Sequence, residues 1–251
     1  MSSMATVPYP FTDTLPGAPT GVKNVKGTHP STCLSVVIPT LNAAATLPAT
    51  LAALGDMADE VVVADGGSRD GTAALAAQLG ARVVAAPRGR GLQLAAGVAA
   101  ARGVWLLLLH ADTRLAPDWA AAARRFMAGP PGRAGYFRFA LDSADPRARR
   151  LERLVAWRCR VFALPYGDQG LLIARALLDH IGGIDPMPLM EDVALVRRIG
   201  RARLTALDAA AVTSAARWER EGWYGRSARN VACLMLYAGG VPPRIIARLY
   251  S

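Results

Sequence analysis

Five carboxylates and two arginines stand where they could do chemistry together. Asp112 follows the apolar run Val104–Leu109, with His110 two places before it. The run is too short to cross a membrane and has the length of a buried strand. A carboxylate at the mouth of such a strand is a hard oxygen ligand. It can hold a divalent cation when phosphate oxygens and water complete the shell. Asp65 closes a second apolar run and opens the stretch ADGGSRDGT. Its glycines let backbone approach a ligand, and its carboxylate can accept from base or ribose donors. Arg88-Gly89-Arg90-Gly91 sets two arginines on flexible backbone before a helix, which suits phosphate. Glu191-Asp192 begins an amphipathic helix. There, carboxylates serve either to stabilise the helix N-terminus, by up to about 1 kcal/mol, or as a general base and a positioning group. Asp168-Gln169 lies in PYGDQG, a polar, glycine-bracketed stretch between apolar ones. His110 reads either as a support for Asp112 or as a core histidine satisfied by its surroundings.

These groups must be positioned by regular elements, and the pattern supplies them. LSVVIPT, DEVVVAD, ARVVAAP and VWLLLLHAD read as strands. Between them Asn42–Leu54, Asp70–Leu79 (capped by Ser68 or Asp70) and Gly91–Arg102 read as helices, with a fourth from Pro117 to Met127. Strands alternating with helices of about ten residues mean βαβ units on a parallel sheet. Such strands are continuously apolar because both faces are covered. Ligands in such sheets sit at the carboxyl ends of the strands, where Thr40-Leu41-Asn42, Asp65-Gly66-Gly67-Ser68, Arg88–Gly91 and His110–Asp112 fall. After Gly129-Pro130-Pro131-Gly132 the rhythm changes. AGYFRFAL alternates like an antiparallel strand, Pro146–Phe162 is a long arginine-rich helix, and a last strand is expected near Arg203–Leu207. Two further helices are expected at Trp223–Tyr237 and Pro243–Tyr250. The expected organisation is a flexible tail over 1–32 and a single domain over 33–251. In that domain, 33–128 is a nucleotide-binding half and 129–251 an acceptor-binding half.

The chain has 251 residues and is 52% hydrophobic, enough for one large α/β domain. No apolar stretch reaches the length of a membrane span. The first 30 residues lack the apolar centre of a secretion signal. The three cysteines, Cys33, Cys159 and Cys233, are far apart, so a cytoplasmic setting is expected rather than a disulfide framework. The net charge of +10 comes from arginine, since both lysines, Lys23 and Lys26, lie in the tail. The arginine excess reads either as a trait of genome composition or as the mark of an anionic partner, a nucleotide diphosphate or a phospholipid surface. Nucleic acid is disfavoured because aromatics do not interleave with the arginines. Arg147, Arg149, Arg150, Arg153, Arg158 and Arg160 on the Pro146–Phe162 helix read as a solvated face or as an anion-attracting rim. The rim reading carries with it a peripheral contact with the inner membrane face.

The motifs SVVIPTLN, VVVADGGSRDGT, GRGLQLAAG, LLLLHADTRL, PYGDQG and LMEDVAL, in this order, resemble family 2 glycosyltransferases of the GT-A fold. The variant most similar is the bacterial subgroup associated with radical-SAM/selenodomain proteins. The resemblance covers about Leu34 to Ser251. It implies a Rossmann-like, mostly parallel sheet flanked by helices, with C-terminal helices. It implies that Pro39, Thr40 and Asn42 lie along the nucleotide, with Gly66 and Ser68 in the loop where Asp65 meets the base of a UDP-linked sugar. Arg88, Arg90 and Gln93 would border the nucleotide and diphosphate. Asp112 would be the ligand to Mg²⁺ or Mn²⁺. Asp192 would be the base of an inverting transfer, and Glu191, Asp168 and Gln169 would wall the acceptor, a hydroxyl compound that is phosphorylated or lipid-linked. Three departures stand out: Ala43-Ala44-Ala45 replaces acidic residues, Leu94-Ala95 replaces Met-Asn, and His110 replaces the first Asp of the metal motif. Two competing classes are a nucleotidyltransferase and a sugar-nucleotide-binding protein without activity. The first normally carries a glycine-rich basic loop after its first strand, and PTLNAAAT has none. The alanine run is the one hint of the second.

Overall fold

The structure, a computed structural model, describes residues 33–250; the expected tail lies outside the described residues. Strand β1 (Leu34–Thr40) is buried at all seven positions, as an interior parallel strand must be. It pairs with β2 (Glu60–Asp65) on one side and β4 (Trp105–Leu108) on the other, both parallel. Strand β3 (Arg82–Ala85) extends the sheet beyond β2, giving the order β3-β2-β1-β4. The chain therefore reverses its direction of growth between β1 and β4, and a crevice opens at the carboxyl ends of these strands. Helices α1 (Leu47–Ala52), α2 (Thr72–Gln78), α3 (Arg90–Ala100) and α4 (Trp119–Met127) make the connections.

Four more strands follow β4. These are β5 (Thr113–Leu115), β6 (Ala134–Leu141), β7 (Leu171–Ala174) and β8 (Leu204–Thr213). The full order is β3-β2-β1-β4-β7-β6-β8-β5. Strand β7 is antiparallel to β4 and β6, while β6 and β8 are parallel. This is the α/β, mostly parallel sheet of the GT-A type. Helices α5 (Pro146–Phe162), α6 (Arg175–His180), α7 (Glu191–Ile199), α8 (Ala216–Glu221), α9 (Trp223–Ala238) and α10 (Pro243–Tyr250) complete the set. One apolar core centres on β1, β4 and β7. Two smaller ones, around Phe139–Trp218–Trp223 and Leu164–Val193–Ile246, fix the second-half helices.

Several boundaries differ from the sequence expectation. Helix α1 begins at Leu47 rather than Asn42. Asn42 is left-handed at φ 52, its N–H donates to Ser68 Oγ at 2.8 Å, and its side chain accepts from Arg69 N. Residues 42–46 are thus sewn to the loop after β2 instead of winding into helix. Helix α2 starts at Thr72 after Gly71, with Asp70 Oδ1 accepting from Thr72 N; Ser68 turns back to Asp65. Strand β4 stops at Leu108, and His110–Asp112 form a turn into β5. Strand β8 runs to Thr213, six residues past Leu207, because its second half pairs with β5 and β6. β5, β7, α6 and α8 were not assigned from sequence.

Candidate active site

The crevice at the ends of β1 and β4 is a cavity of about 550 Å³. Pro39, Thr40, Asn42, Arg88, Arg90, Gln93 and Asp112 line it, joined by Arg217 and Arg220 from α8. The two α8 arginines carry no local signal in the sequence. Only the pairing of β8 with β5 brings them over the nucleotide-side residues. Asp65, Gly66 and Ser68 do not reach this lining. Asp65 accepts from Thr40 Oγ1 at 3.0 Å, Ser68 Oγ at 2.5 Å, Gly67 N at 3.0 Å and Ser68 N at 2.8 Å. Burial works to raise its pKa, but these donors outweigh it and hold the carboxyl below the usual range. Four donors occupy the carboxylate in this structure, so Asp65 closes the loop after β2. Gln93, buried, donates to the carbonyls of Thr40 and Ala64 and accepts from Gly89 N. It ties the first two strand ends to the arginine loop.

A smaller cavity of about 110 Å³ adjoins the first and shares Arg90, His110, Asp112 and Arg217 with it. Tyr166, Asp168, Asp192, Thr213, Trp218 and Asn230 form the rest of its wall. Asp192 is presented by the start of α7, after Met190 at φ 68. A left-handed, buried methionine is a strained entry to a helix, and such strain collects at working sites. Asp192 Oδ2 accepts from Gly167 N at 2.9 Å and Oδ1 from Val193 N at 2.8 Å, while Arg90 Nη2 lies 3.9 Å away. Burial pushes its pKa up, but the Arg90 charge and these N–H donors prevail and hold it below the usual value.

His110 is not a satisfied core histidine. Its Nε2 is buried without a hydrogen-bond partner, and the ring borders both cavities. Burial, then the Arg90 charge, pushes its pKa down to about 4 against the pull of Asp112 and Asp192, so the ring is neutral at pH 7. The missing side chain of Gly167 makes room for it: a Cβ there would stand 2.6 Å from Nε2.

The three expected acceptor residues part company. Asp168 faces the small cavity, with Oδ1 sealed from solvent and unpartnered. Burial raises its pKa to about 6 despite Arg158. Gln169 is buried and faces no cavity; it donates to Phe137 O and accepts from Tyr166 N, Arg158 and Cys159. Its amide locks the 3₁₀ turn Gly167–Gln169. Glu191, 1% exposed, lies behind the small cavity and accepts from Arg90 Nε. Burial lifts its pKa to about 6 against the Arg90 charge. Gln169 holds its neighbours in place, while Glu191 aims Arg90 and lines a small pocket with His110, Tyr166 and Asp192.

Among the described residues no three His, Cys, Asp or Glu side chains gather into a metal cage. Asp112, a single hard oxygen donor on the wall common to both cavities, fits a cation that takes its other ligands from a diphosphate and water. Several arginines of the α5 cluster are paired within the chain. Arg147 pairs with Asp145, Arg149 with Glu152 and Arg158 with the Leu164 carbonyl. No helix among the described residues is long and apolar enough to cross a membrane.

At the sheet's switch point an arginine-lined crevice thus adjoins a small cavity edged by carboxylates. The chain belongs to glycosyl transferase family 2, whose pattern matches residues 35–176. Glucosyl-3-phosphoglycerate synthase of Mycobacterium tuberculosis, solved with Mn²⁺, UDP-glucose and phosphoglyceric acid, superposes with a TM-score of 0.58. The identity is 21%, over 84% of this chain and 81% of that one. The same enzyme solved with Mn²⁺, UDP and glucosyl-3-phosphoglycerate gives 0.52 at 22% identity, over 73% of this chain and 70% of that one. A TPR repeat-containing protein of Synechococcus elongatus is 41% identical over 71 residues, 28% of this chain; the chain spans only 18% of that protein.

Proposed function

We propose that this protein transfers a sugar from a UDP-linked donor to an acceptor hydroxyl, with inversion at the anomeric carbon. The observation that carries the reading is the shared wall. Asp112, Arg90 and Arg217 border both the 550 Å³ crevice and the small cavity where Asp192 is presented. The crystallised relatives that bind UDP, UDP-glucose and Mn²⁺ support the choice of nucleotide and of Mg²⁺ or Mn²⁺. The motif His110-Ala111-Asp112 supports membership of the radical-SAM/selenodomain-associated subgroup.

Asp192, ionised and fixed by two backbone donors, takes the proton of the acceptor hydroxyl. The acceptor oxygen forms its bond to the anomeric carbon as the bond from that carbon to the diphosphate breaks, and the electron pair leaves with the diphosphate. Arg90 and Arg217 stabilise the charge that develops there. Arg90 is aimed by Glu191. A divalent cation held by Asp112 supplies further neutralisation of the leaving group when bound. Asp168 holds the acceptor hydroxyl for Asp192. The acceptor is a hydroxyl compound, for which phosphorylated and lipid-linked classes both qualify. Action on the cytoplasmic side, with α5 as a peripheral membrane contact, belongs to the same reading.

A thermal-shift panel of nucleotide sugars, with and without Mn²⁺, tests it. A rise in melting temperature for UDP and one UDP-sugar, present only with metal, is expected. Equal shifts with and without metal would refute the donor assignment.

A further inference from the structure

A third cavity, of about 790 Å³, abuts the small one and shares Tyr166, Asp168, Trp218 and Asn230 with it. Its sides are α5 and α9. Leu154, Trp157 and Phe162 line it from one helix, Val231 and Met235 from the other. All five are between 49% and 66% exposed. Large apolar side chains left open in a contiguous patch mark a ligand groove or an interaction site. Both walls are held firmly. The helix α5 buries Val155 and Cys159, and Arg201 donates to the terminal carbonyls of Arg160 and Val161. The helix α9 buries Trp223 and Cys233. The groove therefore persists without an occupant to shape it.

Its polarity is graded. The three arginines on its lining have partners within the chain: Arg158 donates to the Leu164 carbonyl and to Gln169 and stacks on Tyr166, Arg201 caps α5, and Arg197 lies over the Tyr237 ring. The outer groove thus offers hydrocarbon contact rather than phosphate recognition. At its inner end stand Asn230 and the unpartnered Asp168 Oδ1, on the wall shared with the cavity of Asp192.

We infer that the groove holds the hydrocarbon chain of a lipid alcohol whose hydroxyl end reaches past Asp168 to Asp192. Continuity with the reaction cavity selects this occupant. A chain lying between α5 and α9 meets, at the inner end of the groove, the residues it shares with the reaction cavity. The inference rests on the glycosyl-transfer reading and adds the acceptor class to it.

The test titrates the full chain, with UDP and Mn²⁺ present, with 1-alkanols from hexanol to dodecanol by calorimetry. A buried methylene contributes about 0.8 kcal/mol, so affinity should rise roughly fourfold per carbon until the groove is filled and then level off. The double variant Leu154→Asp/Val231→Asp changes only exposed positions and should weaken dodecanol at least about tenfold, with an unaltered circular dichroism spectrum. If that variant does not fold, Met235→Glu makes the same comparison. Binding independent of chain length, or unchanged in the variant, overturns the inference. So does 3-phosphoglycerate binding without any alcohol binding. So does a dimer in sedimentation that Val231→Asp dissociates while dodecanol is ignored. UDP binding to the unaltered protein, measured in parallel, separates the two readings. Loss of UDP binding topples the donor assignment, whereas UDP binding without alkanol binding topples the groove alone.

Discussion

Asp168 is a cost to the fold that Asp168→Asn should remove. Its carboxyl has a folded pKa of about 6 against 3.8 for the ordinary value, because burial disfavours the charge. A raised acid leaves folding unpenalised below its unfolded pKa and lowers stability as pH rises through the folded one. The gap of about 2.2 pKa units corresponds to about 3 kcal/mol at 1.36 kcal/mol each. Asparagine keeps the shape and stays neutral at every pH. The variant's advantage should therefore grow from about 0.5 kcal/mol near pH 4 to about 3 kcal/mol at pH 8. For a domain of this size that is roughly 6–12 °C in melting temperature at the upper pH. Differential scanning calorimetry of both proteins without nucleotide, at pH 4, 6 and 8, reads the difference directly. The same variant should weaken transfer, since a neutral amide oxygen holds the acceptor hydroxyl less strongly than a carboxylate. An advantage that is constant with pH, or a variant less stable at pH 8 than the parent, would refute the reasoning.

Other consequences can be measured with the same protein. Asp112→Ala should abolish the Mn²⁺-dependent part of UDP affinity in calorimetry. In the parent, Mn²⁺ alone should give no detectable heat, because one carboxylate is too small a shell without the diphosphate. Asp192→Asn should lower transfer by about 10²–10⁴-fold, the range of general-base catalysis, while UDP affinity stays within a factor of about two. Gly167→Ala would place a Cβ 2.6 Å from His110 Nε2 and 3.4 Å from Asp192 Oδ2. Overpacking of this kind should cost about 1–3 kcal/mol in urea unfolding and reduce transfer through the displaced base.

The strands legible in the sequence were those whose burial left no choice of residue. β1, β2 and β4 are unbroken apolar runs because helices cover both faces, and α5 announces itself by Asp145 and Pro146 at its cap. β5 was invisible because it is three residues long and finds its partner, Thr213, a hundred positions away. The second half of β8, Asp208–Thr213, is half alanine and begins with an aspartate, both of low strand preference; the pairing with β5 and β6 imposes the conformation. The site divides in the same manner. The groups after β1, β3 and β4 fell into the crevice because topology puts them there, whereas the group after β2 folded back on its own loop. Residues whose part depends on who saturates whom could not be sorted. Gln169 and Asp168 are neighbours of similar polarity, and only the Phe137 carbonyl and the Tyr166 amide decide that one turns inward.

That sorting gives four carboxylates in and beside the cleft different duties from one chemical group. Asp65 and Asp192 are held low by backbone N–H donors, the first by Gly67 and Ser68, the second by Gly167 and Val193. Asp168 and Glu191 are both lifted to about 6 by burial. Pairs of acids pushed apart by their surroundings are how one site separates a base from a neutral partner. Here the low member, Asp192, is ionised across the neutral range and can accept a proton at once. The raised member on the same cavity wall, Asp168, has an unpartnered oxygen that a hydroxyl would complete. Binding an acceptor there would supply the hydrogen bond that Asp168 lacks and draw its pKa back down. The substrate thus repairs the same defect that makes the empty protein less stable, and acceptor affinity and pH-dependent stability must change together when Asp168 is replaced.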